Sequence, residues 1–268
     1  MTDRPPADRA TPDGAVPGSS PSGPSPSGTA PSGPAPVAPA TLADVLRSLA
    51  FYTLFYGATL LLAFVVTLQV LLPGRGFVHS IYFWTRWHRW CARHVLRIRV
   101  VVEGAVPSGP VLVALKHESF FEAIDLPVLL DYPAVFAKIE LLRLPLWGRA
   151  GAAYGLIGVE RDQGAKALRA MLAEARLRIA EGRPLAIFPE GTRVPHGTVG
   201  PLQAGFAGIY KLLGLPVIPA AVNSGPLYQR FWKKPGTITV RFAQRIEPGL
   251  KRDEIESRVL AAINGLNP

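Results

Sequence analysis

Residues 111–130 read VLVALKHESFFEAIDLPVLL, and this stretch decides the fold. Its first five residues form an apolar, valine-rich run of the kind that becomes a buried strand, and Lys116 and His117 then end that run. Ser119 is followed three residues later by Glu122, the capping-box pattern that starts a helix. The stretch therefore predicts a strand, a short polar loop and a helix beginning at Ser119, an order typical of α/β proteins.

The rest of the C-terminal part repeats this alternation. The sequence AKALRAMLAEARLRIAEG has the apolar spacing of an amphipathic helix that ends at Gly182. Four further runs predict strands: IRVVVEG at 98–104, PLAIFPE at 184–190, LPVIPAAVNS at 215–224 and TITVRF at 237–242. Strands that alternate with helices predict an α/β sheet with short loops at the strand ends.

Residues 1–40 differ from the rest in composition. They hold eleven of the 27 prolines and contain no aromatic residue, leucine or isoleucine. Such a segment cannot bury enough apolar surface to offset its ordering entropy, so we expect a disordered tail. It also lacks the basic start and apolar core of a signal peptide.

A membrane segment is predicted directly after the tail. No charge occurs between Arg47 and Arg75, whereas about 20 apolar residues suffice to cross a bilayer. Pro73-Gly74 predicts the stop, and a buried core helix is the alternative interpretation. In the following residues, 77–100, three tryptophans recur at every third position and alternate with arginines. This pattern suits contact with lipid headgroups. The alternative is that the tryptophans pack in the core and the arginines form a solvated basic face.

These features predict three parts: a tail (1–40), a membrane-associated two-helix segment (41–96) and an α/β domain (97–268). Whether the first helix spans the bilayer or returns as a hairpin stays open. Because Arg and Lys cluster after the apolar run, the positive-inside rule predicts the α/β domain on the cytoplasmic side.

The basic charge limits the partners. The formal charge is +10, and the tail contributes −1, so the remainder carries +11. Nucleic acid, an anionic lipid surface or a small anionic substrate would each suit it, but no nucleic-acid-binding module occurs in the sequence.

The single cysteine, Cys91, excludes an internal disulfide and is expected to be a packing residue. The five histidines show no metal-ligand spacing, so we expect no metal site. We expect no cofactor either.

His117 is the candidate general base. It directly follows a predicted strand, where α/β proteins present ligand-handling groups. Glu122 can reach back to it if the helix begins between the two, and a carboxylate then orients the imidazole and stabilises its protonated form. Asp125 is a second possible partner. The alternative is that Glu122 only caps the helix.

Two further motifs carry groups that fit phosphate. In IFPEGTRVPHG, residues 187–197, Gly191 allows close backbone approach and Arg193 offers a planar guanidinium. In YGLIGVERDQG, residues 154–164, Arg161 follows another predicted strand, although it could equally be an ordinary ion-pair residue.

Together these motifs resemble the PlsC-type family of glycerolipid acyltransferases, over about residues 97–245. The family carries an HxxxxD block, a Gly-rich block ending in Arg, FPEGTR, and a late apolar block with Pro. Here Glu122 replaces the usual aspartate, which keeps the charge and adds one methylene. The matching residues are His117-Glu118-Ser119-Phe120-Phe121-Glu122, Gly158-Val159-Glu160-Arg161, Phe188-Pro189-Glu190-Gly191-Thr192-Arg193 and Val217-Ile218-Pro219-Ala220-Ala221.

The resemblance implies a mixed sheet flanked by helices and a membrane-bound O-acyltransferase. By resemblance, the donor is acyl-CoA or acyl carrier protein, the acceptor is 1-acyl-sn-glycerol 3-phosphate and the product is phosphatidic acid. Glycerol 3-phosphate, a lyso-aminolipid, or an inactive adaptor with the same fold are the alternatives. The implied catalytic residues are His117 and Glu122, and the implied substrate-binding residues are Arg161, Glu190, Gly191, Thr192 and Arg193.

Overall fold

The computed structural model describes residues 39–72, 76–145, 147–160 and 164–268. All but the last two residues of the predicted tail lie outside this part of the chain. The strands are β1 (Ile98–Glu103), β2 (Leu112–Leu115), β3 (Ala134–Lys138), β4 (Leu156–Val159), β5 (Leu185–Ile187), β6 (Val217–Val222) and β7 (Gly236–Phe242). The helices are α1 (Leu42–Val70), α2 (Gly76–His94), α3 (Phe120–Leu129), α4 (Ile139–Leu142), α5 (Trp147–Tyr154), α6 (Gly164–Ala180), α7 (Gly205–Leu213), α8 (Gly225–Tyr228) and α9 (Arg252–Ile263).

The strands form one mixed sheet in the order β1-β7-β6-β2-β5-β3-β4. All neighbours pair in parallel except β6 and β7, so β1 and β7 run opposite to the other five strands. The predicted mixed sheet flanked by helices is confirmed. Because β2, β5, β3 and β4 are neighbours with the same direction, the loops at their carboxyl ends meet along one edge, where open α/β sheets bind ligands.

The strand β2 is buried on both faces, which explains its unbroken apolar sequence. Val113 and Leu115 belong to the apolar layer that packs against α1, α2 and α3. Leu112 and Ala114 point to the opposite layer, which contains side chains of α6, α7 and α9. The predicted apolar packing role of Cys91 agrees with its place in the first layer, where its side chain is fully buried.

Helices α1 and α2 form a packed pair. Within the described residues, α1 is the helix long and apolar enough to cross a membrane. Its outward leucines are exposed, Leu60 to 76%. α1 ends at Val70, before the predicted stop at Pro73-Gly74, which lies outside the described residues. On α2, the indole N–H of Trp84 donates to the Thr59 hydroxyl at 2.9 Å, so this indole packs inward.

The tryptophan stripe of α2 is therefore divided between the two predicted environments. Trp84 packs on the rings of Phe55 and Trp147. Trp87 stacks on Trp90 with ring centroids 5.0 Å apart, and Trp90 is exposed. Part of the stripe thus belongs to the interior, and its end faces outward.

Candidate active site

The loop between β2 and α3 brings His117 to Glu122. Ser119 is the N-cap of α3, and its side chain and that of Glu122 form the predicted capping box. This start of the helix turns Glu122 back toward the loop, where Glu122 Oε1 lies 3.0 Å from His117 Nδ1. The strand-loop-helix arrangement thus produces the predicted pair.

The Glu122 carboxylate is fully buried and receives hydrogen bonds on both oxygens. Oε1 also accepts from the backbone N–H groups of Glu118 and Ser119, both at 2.6 Å. Oε2 accepts from the hydroxyls of Ser119 at 3.0 Å and Ser224 at 2.6 Å. Burial raises the pKa of Glu122. The hydrogen bond and charge of His117, together with the hydrogen bonds from Ser119 and Ser224, lower this pKa by more than burial raises it. The pKa of Glu122 therefore lies below its usual value.

An ionised Glu122 determines which imidazole nitrogen can act. The carboxylate accepts the Nδ1 hydrogen of His117, which leaves the lone pair on Nε2. The ring stacks on Phe188 at 4.2 Å between centroids, and its side chain keeps 16% of its surface exposed. His117 therefore has the orientation of a general base.

Asp125, the second possible partner, has a different role in the structure. Its carboxylate is buried and paired with both Nε and Nη2 of Arg89 on α2, the first at 2.8 Å. Asp125 thus holds α3 against α2, and Glu122 is the partner of His117.

The FPEGTR loop follows β5, the neighbour of β2 in the sheet. Gly191 adopts a left-handed conformation with φ of 65°, and its N–H donates to Phe188 O at 2.9 Å, closing a tight turn. The exposed guanidinium of Arg193 lies 4.3 Å above the ring of Phe120 and donates to Gln229 at 3.2 Å. This turn places Arg193 beside the start of α3.

Glu190, which we predicted to bind substrate, is directed into the protein. Its Oε1 accepts from Lys116 Nζ at 2.7 Å, and its Oε2 accepts from His117 N–H at 3.2 Å. Lys116 is itself fully buried and also donates to Thr198 O and Asn264 Oδ1. The geometry favours a role for Glu190 in holding the His117 loop, without contact with substrate.

An apolar cavity of about 810 Å³ opens beside His117. Gly191, Thr192 and Arg193 line it, whereas Glu190 does not. Most of the wall is apolar and comes from several helices and the sheet edge, and it includes Leu62, Val66, Trp84, Leu126, Met171 and Ile209. The cavity has the lining that suits a hydrocarbon chain.

Two charged residues of this wall were not predicted as site residues. Lys138 ends β3 and Glu160 follows β4, and both line the cavity. The sequence contains a signal for Lys138, because this residue ends the mostly apolar run AVFAK, which has the composition of a strand. His117 likewise stands at the end of a strand, β2. Arg161, the predicted neighbour of Glu160, lies outside the described residues. Within the described residues, no cluster of three or more His, Cys, Asp or Glu is arranged to hold a metal.

Comparison with known proteins agrees with this site. The Acyltransferase family model matches residues 97–223, the span from β1 to the end of β6. The match points to the acyltransferase class of protein.

The relatives narrow this class. The chain is 31% identical over 229 residues to a 1-acyl-sn-glycerol-3-phosphate acyltransferase of Pseudomonas aeruginosa, covering 82% of this chain and 87% of the relative. A 1-acyl-sn-glycerol-3-phosphate acyltransferase alpha of Mus musculus is 30% identical over 176 residues, 61% of each chain. The chain therefore belongs to the 1-acyl-sn-glycerol-3-phosphate acyltransferase family and is an O-acyltransferase.

The fold has a solved counterpart. The crystal structure of the 1-acyl-sn-glycerophosphate (LPA) acyltransferase PlsC from Thermotoga maritima matches with a TM-score of 0.60 at 22% identity. The match covers 83% of this chain and 93% of that one.

Proposed function

We propose that this enzyme transfers an acyl chain from a thioester donor to the free hydroxyl of 1-acyl-sn-glycerol 3-phosphate, giving phosphatidic acid. The donor is acyl-CoA or acyl carrier protein. The observation that supports this most directly is the His117–Glu122 pair beside an apolar cavity whose wall also carries Arg193. The names of the relatives support the acceptor.

In this proposal His117 Nε2 takes the proton of the acceptor hydroxyl as its oxygen attacks the thioester carbonyl. The new C–O ester bond forms and the C–S bond breaks. The proton then passes from the imidazolium to the leaving thiolate, which returns the histidine to its starting state. Glu122 stabilises the imidazolium in between, and positioned proton transfer of this kind contributes roughly 10²- to 10⁴-fold.

The acceptor phosphate is assigned to the cationic side of the cavity. Arg193 offers a planar guanidinium to phosphate oxygens, Thr192 a hydroxyl, and Lys138 a second positive charge in the same wall. Arg161 remains a predicted member of this group. The tight turn at Gly191 lets the backbone approach the phosphate closely.

We further propose that α1 and α2 hold the enzyme on a membrane, with the α/β domain on the cytoplasmic side. The exposed apolar surface of α1 and the basic residues that follow it support this placement. The arrangement has a physical reason, since transferring a lipid chain into water costs about 0.8 kcal/mol for each CH₂ group. A site at the membrane surface avoids most of that cost.

The test uses purified full-length enzyme in lipid vesicles with labelled acyl donors. Acyl-CoA and acyl carrier protein are each combined with lysophosphatidic acid, glycerol 3-phosphate and a lyso-aminolipid. We expect turnover with lysophosphatidic acid, and a loss of roughly 10²- to 10⁴-fold in His117→Ala. Equal turnover by wild type and His117→Ala would overturn the base assignment. A preference for an acceptor without phosphate would overturn the acceptor assignment.

A further inference from the structure

A second histidine–carboxylate pair lies next to the first. Glu118 directly follows His117, yet its side chain is fully buried and has no part in the reaction described above. Its Oε1 lies 2.9 Å from His196 Nδ1, and its Oε2 accepts from Gly225 N–H at 2.8 Å. Burial raises the pKa of Glu118, and the Gly225 N–H and His196 lower it in part. A buried carboxyl group is tolerated where such partners satisfy it.

The pair joins three segments at the active site. Glu118 belongs to the loop that carries the candidate base, and His196 stands three residues after Arg193 in the FPEGTR loop. Gly225 is the first residue of α8, whose C-cap, Gln229, accepts a hydrogen bond from Arg193. Glu118 thus holds both the loop that carries Arg193 and the helix that binds its guanidinium.

The packing leaves little room for any other arrangement. A Cβ atom at Gly225 would lie 3.0 Å from Glu118 Oε2 and 3.5 Å from His196 Cβ. A second connection runs in the same direction, because Val194 N–H donates to His117 O at 2.7 Å. On its side away from solvent, the loop that carries the exposed Arg193 is therefore attached to closely packed and hydrogen-bonded residues.

We propose that Glu118 and His196 are positioning residues that hold Arg193 in place for the acceptor phosphate. The proposal rests on the phosphate role of Arg193 given under Proposed function. Neither residue touches the reacting atoms; the pair acts through the Arg193 loop. The phosphate is held equally before and during acyl transfer, so loss of the pair weakens acceptor binding and leaves the chemical step unchanged.

The first measurement compares His196→Ala with wild type in steady-state kinetics with lysophosphatidic acid and acyl-CoA. We expect the acceptor KM to rise about tenfold, the effect of one hydrogen bond to a charged group. The donor KM and kcat should stay within about twofold, as expected when only acceptor binding is weakened. His79→Ala, which removes an exposed histidine of α2, is the matched control. A fall in kcat with an unchanged acceptor KM would overturn the proposal.

A rescue variant separates the hydrogen bond from mere packing. In His196→Asn, the side-chain amide nitrogen takes the place of Nδ1 and can donate to Glu118. We expect its acceptor KM to lie within about threefold of wild type. If His196→Asn is as impaired as His196→Ala, the hydrogen bond has no positioning role and the proposal fails. If His196→Ala melts below the assay temperature, Glu118→Gln replaces it, with an expected rise of about threefold in acceptor KM.

The decisive step repeats the substitution in an Arg193→Ala background. If the pair acts through Arg193, His196→Ala has no further effect on acceptor KM there. An effect of the same size in both backgrounds would overturn the inference. Should Arg193→Ala itself leave the acceptor KM unchanged, the phosphate role of Arg193 fails, and this inference fails with it. If Arg193→Ala raises the acceptor KM and His196→Ala does not, only the inference is refuted.

Discussion

Replacement of Glu122 by glutamine separates the charge of this carboxylate from its geometry. The glutamine oxygen can occupy the Oε1 position, where it would still accept from His117 Nδ1 and from the N–H groups of Glu118 and Ser119. The amide nitrogen would then face the hydroxyls of Ser119 and Ser224, which can turn to accept. The imidazole therefore keeps its tautomer, and only the negative charge is lost.

The size of the effect follows from the burial of this charge. Loss of the partner of a buried charge costs about 3–5 kcal/mol, and each 1.36 kcal/mol is a factor of about ten in rate. Glu122 is fully buried and 3.0 Å from the ring, whereas the His117 side chain keeps 16% of its surface exposed, so the lower part of this range applies. We expect kcat of Glu122→Gln to fall about 10²- to 10³-fold, because the imidazolium loses its support.

The assay is initial-rate acyl transfer to lysophosphatidic acid at saturating donor, for wild type, Glu122→Gln, His117→Ala and the double variant. We expect the double variant to be no slower than His117→Ala, because Glu122 acts on the rate through His117. If Glu122→Gln keeps more than half of the wild-type kcat, the carboxylate is only a helix cap. If it slows the His117→Ala enzyme further by the same factor, its effect on catalysis does not pass through the histidine.

Three further predictions concern stability. Lys116→Met leaves the Glu190 carboxylate buried without its cation, so we expect a loss of about 3–5 kcal/mol, or roughly 6–20 °C in thermal melting; unchanged melting would contradict the buried ion pair. Ser224→Ala removes a hydrogen bond to a buried charge, and we expect a loss of about 1–3 kcal/mol in chemical denaturation with kcat reduced less than in Glu122→Gln, because the Ser119 hydroxyl remains. The folded-state pKa of Glu122 lies below its ordinary value of 4.5, so its stabilising contribution is present above pH 4.5 and is lost as the pH falls further. The difference in melting temperature between wild type and Glu122→Gln should therefore narrow in acid. A difference that widens in acid would refute the lowered pKa of Glu122.

Local patterns made much of the fold predictable. The capping box closes within three residues, so Ser119 and Glu122 alone predict the start of α3 and the pairing of Glu122 with His117. The buried strands were recognisable because a strand covered on both faces is a continuous apolar run. The FPEGTR loop was predicted from one glycine and one arginine next to such a strand.

What the sequence did not reveal depends on contacts between distant residues. Ser224 reaches Glu122 across 102 positions, and His196 reaches Glu118 across 78. No sequence period or short motif marks either contact, because the order of the strands in the sheet determines which loops become neighbours. For the same reason the sequence made Glu190 resemble a substrate ligand, since its partner, Lys116, follows a different strand, β2.

The structure also gives a reason why a glutamate can stand where the family usually has aspartate. In the capping box, the residue at the third helical position reaches back to the N-cap N–H, and glutamate has the length for this. Here the oxygen that accepts from the Ser119 N–H is the same oxygen that binds His117. The hydrogen bond that starts α3 thus also sets the position of the base, and the positive end of the helix dipole favours the charge that the base requires. Catalytic geometry and helix initiation are therefore two consequences of one buried carboxylate.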